Sequence, residues 1–250
     1  MAEVPTVRVG VLALQGSFKE HVSSLSKLDN VVAIEVRTKE ELDSVDGLII
    51  PGGESTTMAL VAQRWGLLPE LRSFSAKRAP IWGTCAGLIF LADQASGQKE
   101  GGQELIGGLE CAVQRNFFGA QINSFETQLP APPCLLQYGA DRDTFRAMFI
   151  RAPAVMSSGP QVEVLAEYKL TAEEAQAQGR SRVTVAVRSD HLLATAFHPE
   201  LTEDLRWHQL FVDMVRQRKQ ADQKAGEQSR VDVTATSRPP LTKDLPIYTR

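Results

Sequence analysis

The stretch Pro80-Ile81-Trp82-Gly83-Thr84-Cys85-Ala86-Gly87-Leu88-Ile89-Phe90-Leu91 decides the fold. A short apolar run stops at Gly83-Thr84, a single cysteine follows, and Ala86-Gly87 opens a second apolar run of helical character. The pattern predicts a strand, a sharp turn and a helix, with the Cys85 thiol at the corner. A strained turn of this kind lifts an attacking atom clear of a sheet and sets it at a helix N-terminus. Cys85 is therefore the candidate nucleophile of an acyl-transfer reaction.

Working outward, Val7 to Leu14 reads as a buried first strand, rich in Val and Leu. Phe18 to Leu28 has helical spacing, Val31 to Val36 is β-branched, and Thr38 with Glu41 forms a capping-box pattern ahead of a short helix. Gly47-Leu48-Ile49-Ile50 is a further buried strand, closed by Pro51-Gly52-Gly53, and helices are expected over Thr56 to Arg64 and Leu67 to Lys77. Strands alternating with helices predict a three-layer α/β fold: a mostly parallel central sheet with helices on both faces. Ligands bind such sheets at the carboxyl ends of the strands. The Gly52-Gly53 turn and the Cys85 elbow both lie there.

From about Asp93 the pattern changes. Gln94 to Gly108 is polar and Gly-rich, which suggests an exposed loop. Shorter strands, expected to form a smaller antiparallel region, are Leu109 to Val113, Ile122 to Leu129, Ala147 to Arg151 and Val162 to Glu167. Pro130 to Arg146 reads as an insertion, and Thr171 to Arg182 as a polar surface connection. Val183 to Val187 and Leu192 to Phe197 are two more strands, the second running into His198-Pro199-Glu200. A terminal helix is expected over Glu203 to Arg218. Residues 1–218 then form one domain, and 219–250 a polar tail expected to be disordered.

Composition narrows the function classes. The 250 residues carry a net charge of −3, with no global basic field for nucleic acid. No apolar run reaches the roughly 18 residues of a membrane helix. The N-terminus lacks the basic and apolar regions of a secretory signal. Three cysteines, Cys85, Cys111 and Cys134, suit neither a disulfide framework nor a metal site, and fit reducing, cytoplasmic surroundings. Cys111 reads as a buried core residue, and Cys134 lies in the insertion with nothing to activate it.

A cysteine nucleophile needs a base, and the base an orienting group. Of four histidines, His208 reads as a partly exposed helix position, His191 as a strand edge, and His21 as a residue that pairs locally or meets a partner. His198 stands at a strand end with Glu200 two residues on, where extended geometry would turn both side chains one way. Alone, His-Pro-Glu is equally well a cap; beside an elbow cysteine it reads as base and orienter. The Pro51-Gly52-Gly53-Glu54-Ser55 segment reads either as an ordinary strand-to-helix turn or as an oxyanion site, with the Gly53 and Ala86 N–H groups converging on a substrate oxygen.

Gly83-Thr84-Cys85-Ala86-Gly87 with His198-Pro199-Glu200 resembles the triad-type (class I) glutamine amidotransferases. Leu14-Gln15-Gly16 with Glu20-His21, Pro51-Gly52-Gly53-Glu54-Ser55-Thr56-Thr57-Met58, Arg115-Asn116, Phe118-Gly119, Gln121, Phe149-Ile150-Arg151-Ala152-Pro153 and Phe197-His198-Pro199-Glu200-Leu201-Thr202 are more closely similar to the glutaminase subunits of pyridoxal 5'-phosphate synthase. The resemblance runs from about Val7 to Arg218. It implies that Cys85 attacks the side-chain amide of L-glutamine, that His198 moves the protons, and that Glu200 orients His198. It implies glutamine-binding positions at Gly53, Glu54, Ser55, Arg115, Ile150 and Arg151, with Arg115 or Arg151 meeting the α-carboxylate. It implies no metal and no cofactor.

The implied partner is a (β/α)8 synthase subunit, which takes up the ammonia within a large hetero-oligomer. Docking is expected to complete the oxyanion hole by reorienting a peptide in the Gly52-Gly53 turn. Phe117 and Ala120 depart from the polar residues usual there, as do the enlarged 94–108 and 130–146 regions and the tail. The other readings are a glutaminase serving a different synthase, a non-catalytic scaffold of the same fold, and a cysteine protease or redox sensor.

Overall fold

A computed structural model describes residues 4–97, 103–119, 124–139 and 141–235, with the backbone alone from residue 226 onward. Strands β1 (Val7–Leu12), β2 (Val31–Val36), β3 (Gly47–Ile50) and β4 (Ile81–Thr84) alternate with α1 (Phe18–Leu25), α2 (Lys39–Asp43), α3 (Ser55–Arg64), α4 (Leu68–Ala76) and α5 (Ala86–Leu91). The second half contains β5 (Ala92–Ser96), β6 (Leu109–Gln114), β7 (Phe125–Pro130), α6 (Pro133–Leu136), β8 (Thr144–Phe149), β9 (Ala154–Ser158) and β10 (Glu163–Lys169). It closes with α7 (Ala172–Gln178), β11 (Arg182–Ser189), β12 (Leu192–Thr195), a 3₁₀ turn (Pro199–Leu201) and α8 (Arg206–Ala235).

The main sheet runs β2-β1-β3-β4-β12-β11-β9-β6-β5, with β10 added beside β11, and β7-β8 form a separate antiparallel ribbon. From β2 through to β12 the neighbours are parallel, and β12, β11, β9 and β6 pair antiparallel. This is the expected mostly parallel centre with a smaller antiparallel region. Every residue of β3, β4 and β12 is buried, as central parallel strands demand. The register pairs Thr84 with Thr195 across β4 and β12. The segments following those two residues, Cys85 and Ala196 to His198, therefore emerge side by side at the carboxyl edge.

Several elements differ from the sequence reading. Ala92–Ser96 is an edge strand, not loop, and its polar exposed residues suit an edge. Thr171 to Arg182 contains helix α7, built on a capping box between Thr171 and Glu174 and burying no residue. Strand β9 follows Pro153 and was not expected. The terminal helix continues past Arg218 to Ala235. Arg218 pairs with Asp222 one turn on, and Lys219 Nζ reaches Asp46 at 2.8 Å and the Thr6 carbonyl at 3.2 Å, which ties the extension to the domain. Phe117 is buried, edge-on to Phe118, so it fills core and presents no surface. Ala120, Gln121, Ile122 and residues 98–102 and 236–250 lie outside the described residues.

Candidate active site

The elbow is sharp. Cys85 has φ 47° and ψ −97°, a conformation that non-glycine residues rarely hold outside functional sites. Two flanking glycines make the turn possible. A Cβ on Gly83 would stand 2.4 Å from the Gly87 carbonyl carbon, and one on Gly87 2.1 Å from the Ile50 carbonyl oxygen. Strand and helix thus approach more closely than side chains allow. Cys85 N–H donates to the Thr195 carbonyl at 2.8 Å, which locks the elbow to β12.

His198 follows β12 and is buried beside this corner. Its Nδ1 meets Glu200 Oε1 at 2.8 Å. Glu200 achieves this from a 3₁₀ turn, not from the extended backbone the sequence suggests; Pro199 starts that turn with its fixed φ. Ser17 Oγ–H donates to the same Glu200 oxygen at 2.6 Å. Burial alone would favour neutral Glu200, but the nearby histidines and the Ser17 hydrogen bond outweigh it and hold its pKa at about 2. Burial likewise opposes charge on His198, yet the Cys85 sulfur beside it, together with Glu200, pushes its pKa up to about 10. Nε2, the nitrogen away from Glu200, has no hydrogen-bond partner among the described residues. Gly52 backs the ring closely: a Cβ there would lie 2.2 Å from His198 Cε1.

A cavity of about 280 Å³ opens over Cys85 and His198. All six expected substrate positions line it: Gly53, Glu54, Ser55, Arg115, Ile150 and Arg151. Glu54 caps α3 by accepting from Thr57 N–H at 2.6 Å, and it pairs with Arg115 at 3.1 Å. Arg115 also donates to Thr56 Oγ1 at 3.2 Å, while its buried Nε has no partner. Ser55 Oγ–H donates to Gln103 Oε1 at 2.9 Å, which brings the 94–108 segment to the rim. The Ile150 carbonyl lies 3.9 Å from the Cys85 sulfur. The Gly52 carbonyl accepts from Ser17 N–H at 3.0 Å, which fixes the orientation of the Gly52-Gly53 peptide, and Ala86 begins α5 directly behind the thiol. A larger cavity of about 720 Å³ lies by β8 and α8, among Arg142, Arg146, Asp204 and Arg206, and contains no nucleophile.

Other residues join the site that the sequence did not single out. Gln15 and Asn116 line the cavity, and Gln15 Oε1 accepts from Glu54 N–H at 2.9 Å. His21 and His208 are both fully buried behind Glu200; the partly exposed helix position expected for His208 is incorrect. Its face of α8 packs on Trp82, an arrangement that depends on tertiary docking. Cys111 and Cys134 lie away from the cavity; burial pushes the Cys111 thiol up to about 12 and raises that of Cys134. Among the described residues no group of three or more His, Cys, Asp or Glu could hold a metal ion, and no helix is long and apolar enough to cross a membrane.

A cysteine on a strand-to-helix elbow, with a histidine and a glutamate from the neighbouring strand end, defines a triad-type acyl-transfer site on an α/β sheet. Comparison with known proteins is consistent with that class. The SNO glutamine amidotransferase family model matches residues 11–217. A protein of Arabidopsis thaliana, named as a probable pyridoxal 5'-phosphate synthase subunit PDX2, is 50% identical, covering 96% of this chain and 99% of its own. The pyridoxal 5'-phosphate synthase subunit PdxT of Streptomyces avermitilis is 47% identical over 83% of this chain and 94% of its own. A crystal structure of a glutamine amidotransferase superposes with a TM-score of 0.68 at 41% identity, over 83% of this chain and 98% of that one. A GMP synthase subunit from Thermoplasma acidophilum, at 14% identity and TM-score 0.56, shares the fold alone. The chain belongs to the SNO glutamine amidotransferase family.

Proposed function

We propose that this chain is the glutaminase subunit of a pyridoxal 5'-phosphate synthase. It hydrolyses L-glutamine to L-glutamate and ammonia. The names of its close relatives support the biosynthetic assignment. The observation that carries the chemistry is the aligned His198–Glu200 pair beside Cys85, at the floor of a cavity that also holds Arg115 and Glu54.

Glutamine seats its side-chain amide over Cys85, and Arg115 or Arg151 meets its α-carboxylate while Glu54 positions the ligand. The Cys85 sulfur attacks the amide carbon, and the negative oxygen is stabilised by the Gly53 and Ala86 N–H groups, each worth about 3 kcal/mol. His198 Nε2, free of protein partners, gives its proton to the leaving nitrogen. Ammonia departs and a γ-glutamyl thioester remains. His198 then takes a proton from water, whose oxygen attacks the thioester and releases glutamate and the Cys85 sulfur. Glu200 stays ionised throughout and steadies the imidazolium. Ammonia passes to a (β/α)8 synthase subunit. Residues 1–218 form the catalytic unit, with 219–250 an appendage to it. A free nucleophilic thiol places the reaction in reducing, cytoplasmic surroundings.

Glutamate release tests this reading, measured with and without a (β/α)8 pyridoxal 5'-phosphate synthase subunit. Stimulation by that subunit, abolished in Cys85→Ala, is expected. Stimulation only by a synthase of another pathway, or turnover that survives Cys85→Ala, would overturn it.

A further inference from the structure

Behind Glu200, on the side away from Cys85, two buried histidines form a chain that the catalytic steps do not use. His208 Nε2 lies 3.0 Å from His21 Nδ1. His21 Nε2 lies 3.4 Å from Glu200 Oε2 and 3.2 Å from Thr84 Oγ1. The contact with Oε2 is close but off-line, and Oε2 has no other partner among the described residues, whereas Oε1 takes both Ser17 and His198. Trp82 packs edge-on to both rings, at 5.5 Å from His21 and 5.0 Å from His208.

Proton counting fixes the tautomers. A buried carboxylate oxygen needs a donor, and His21 Nε2 is the group facing Oε2. With its proton on Nε2, neutral His21 presents Nδ1 as an acceptor, so His208 must donate from Nε2. That leaves His208 Nδ1 as a bare acceptor, the atom found without a partner. The opposite assignment would turn a lone pair of His21 toward the Glu200 carboxylate. Burial favours neutral rings: it holds His21 below its usual pKa despite Glu200, and His208 well below.

We propose that His21 is a positioning residue for the triad, donating from Nε2 to Glu200 Oε2 in a tautomer set by His208, so that Glu200 stays ionised and turned toward His198. This inference rests on the glutaminase reading for its consequence, but its geometry stands apart from the substrate. Ser17 and His198 both hold one oxygen of Glu200; His21 holds the other and stops the carboxylate rotating. The charged or titratable groups facing this cluster are Glu20 on α1, Lys27 beyond it, His198, Glu200 and Cys85. Of these, Glu200 changes charge on the acid side of neutrality.

Three measurements test it. In the first, ¹⁵N spectra of the histidine rings in the intact wild-type chain should show His21 neutral with its proton on Nε2 between pH 5 and 8; protonation on Nδ1, or charging in that range, overturns the proposal. In the second, iodoacetamide alkylation of Cys85 is followed against pH in wild type, His21→Leu and His21→Gln. Leucine removes the donor, so the acid limb should move up by about one pH unit, while the glutamine amide N–H should keep it near wild type. An unmoved limb in His21→Leu, or an equal shift in both variants, overturns the proposal; a merely structural histidine would lower Tm and leave the limb in place. If His21→Leu does not fold, the ring spectra decide alone. In the third, with the synthase subunit present, His21→Leu should lower kcat about tenfold to a hundredfold, with KM within about threefold. The first two need no glutamine, so loss of turnover in wild type would defeat the glutaminase reading without touching them.

Discussion

The two sides of the His198 ring are built on opposite plans. Toward Glu200, polar atoms are tied: Nδ1 to Oε1 at 2.8 Å, Ser17 to the same oxygen at 2.6 Å, and His21 and His208 stacked behind. Toward Cys85, Nε2 has no protein partner and a cavity of about 280 Å³ lies open. Rigidity on one side is what lets the other side change partners. A base that trades protons with a thiol, an amine and a water cannot be tethered at the nitrogen that trades. It is held by the other nitrogen.

Removing the nucleophile breaks the open side completely. Cys85→Ala should lower synthase-stimulated glutamate release by about 10⁶-fold, with the fold intact by circular dichroism. On the tied side, Glu200→Gln should cost up to about 10⁴-fold in kcat, because an amide favours the wrong imidazole tautomer. Stability adds a second readout. The Glu200 carboxyl falls from its ordinary 4.5 to about 2 in the folded chain, so its contribution is present above about pH 4.5 and is lost as pH falls toward 2. The His198 pKa rises from 6.5 to about 10, so its contribution is whole below about pH 6.5 and is lost as pH climbs through 10. Urea titrations at pH 3 to 10 should show the wild-type advantage over Glu200→Gln shrinking at the acid end.

Gly52 sits at the seam between the two sides. Gly52→Ala places a methyl 2.2 Å from His198 Cε1 and must push the ring, which should cost about 10²-fold or more in kcat. Arg115→Gln touches only the open side, at the substrate end, and should raise KM for glutamine about tenfold to a hundredfold with a smaller change in kcat. The smallest effect belongs to thiols outside the comparison. Cys111→Ser and Cys134→Ser should leave kcat/KM within about threefold, since both lie away from the cavity and burial keeps them protonated.

The open side was legible in the sequence because its signals are local. Gly83-Thr84-Cys85-Ala86-Gly87 encodes its own turn, and uniformly apolar runs such as Gly47 to Ile50 encode buried central strands. The tied side was half legible. His198 and Glu200 are two residues apart, and their pairing survives the change from extended chain to 3₁₀ turn. Ser17, His21 and His208 join from up to 187 positions away, through helix packing that no local pattern reports. His208 looked half-exposed because only docking of α8 against Trp82 buries it. Elsewhere, β5 and β9 are short edge or antiparallel strands without strong alternation, and their registers come from neighbours. Helix α7 did leave a signal, Thr171 with Glu174, the same capping box that marks α2.

The most direct test of a tethered base serving a free thiol is to trap the nucleophile. The chain is incubated with a chloroketone analogue of glutamine in the presence of the synthase subunit, digested and mapped by mass spectrometry. A single label on Cys85, blocked by excess glutamine and strongly slowed in Glu200→Gln, is expected. Label on Cys111 or Cys134 with Cys85 untouched would contradict it.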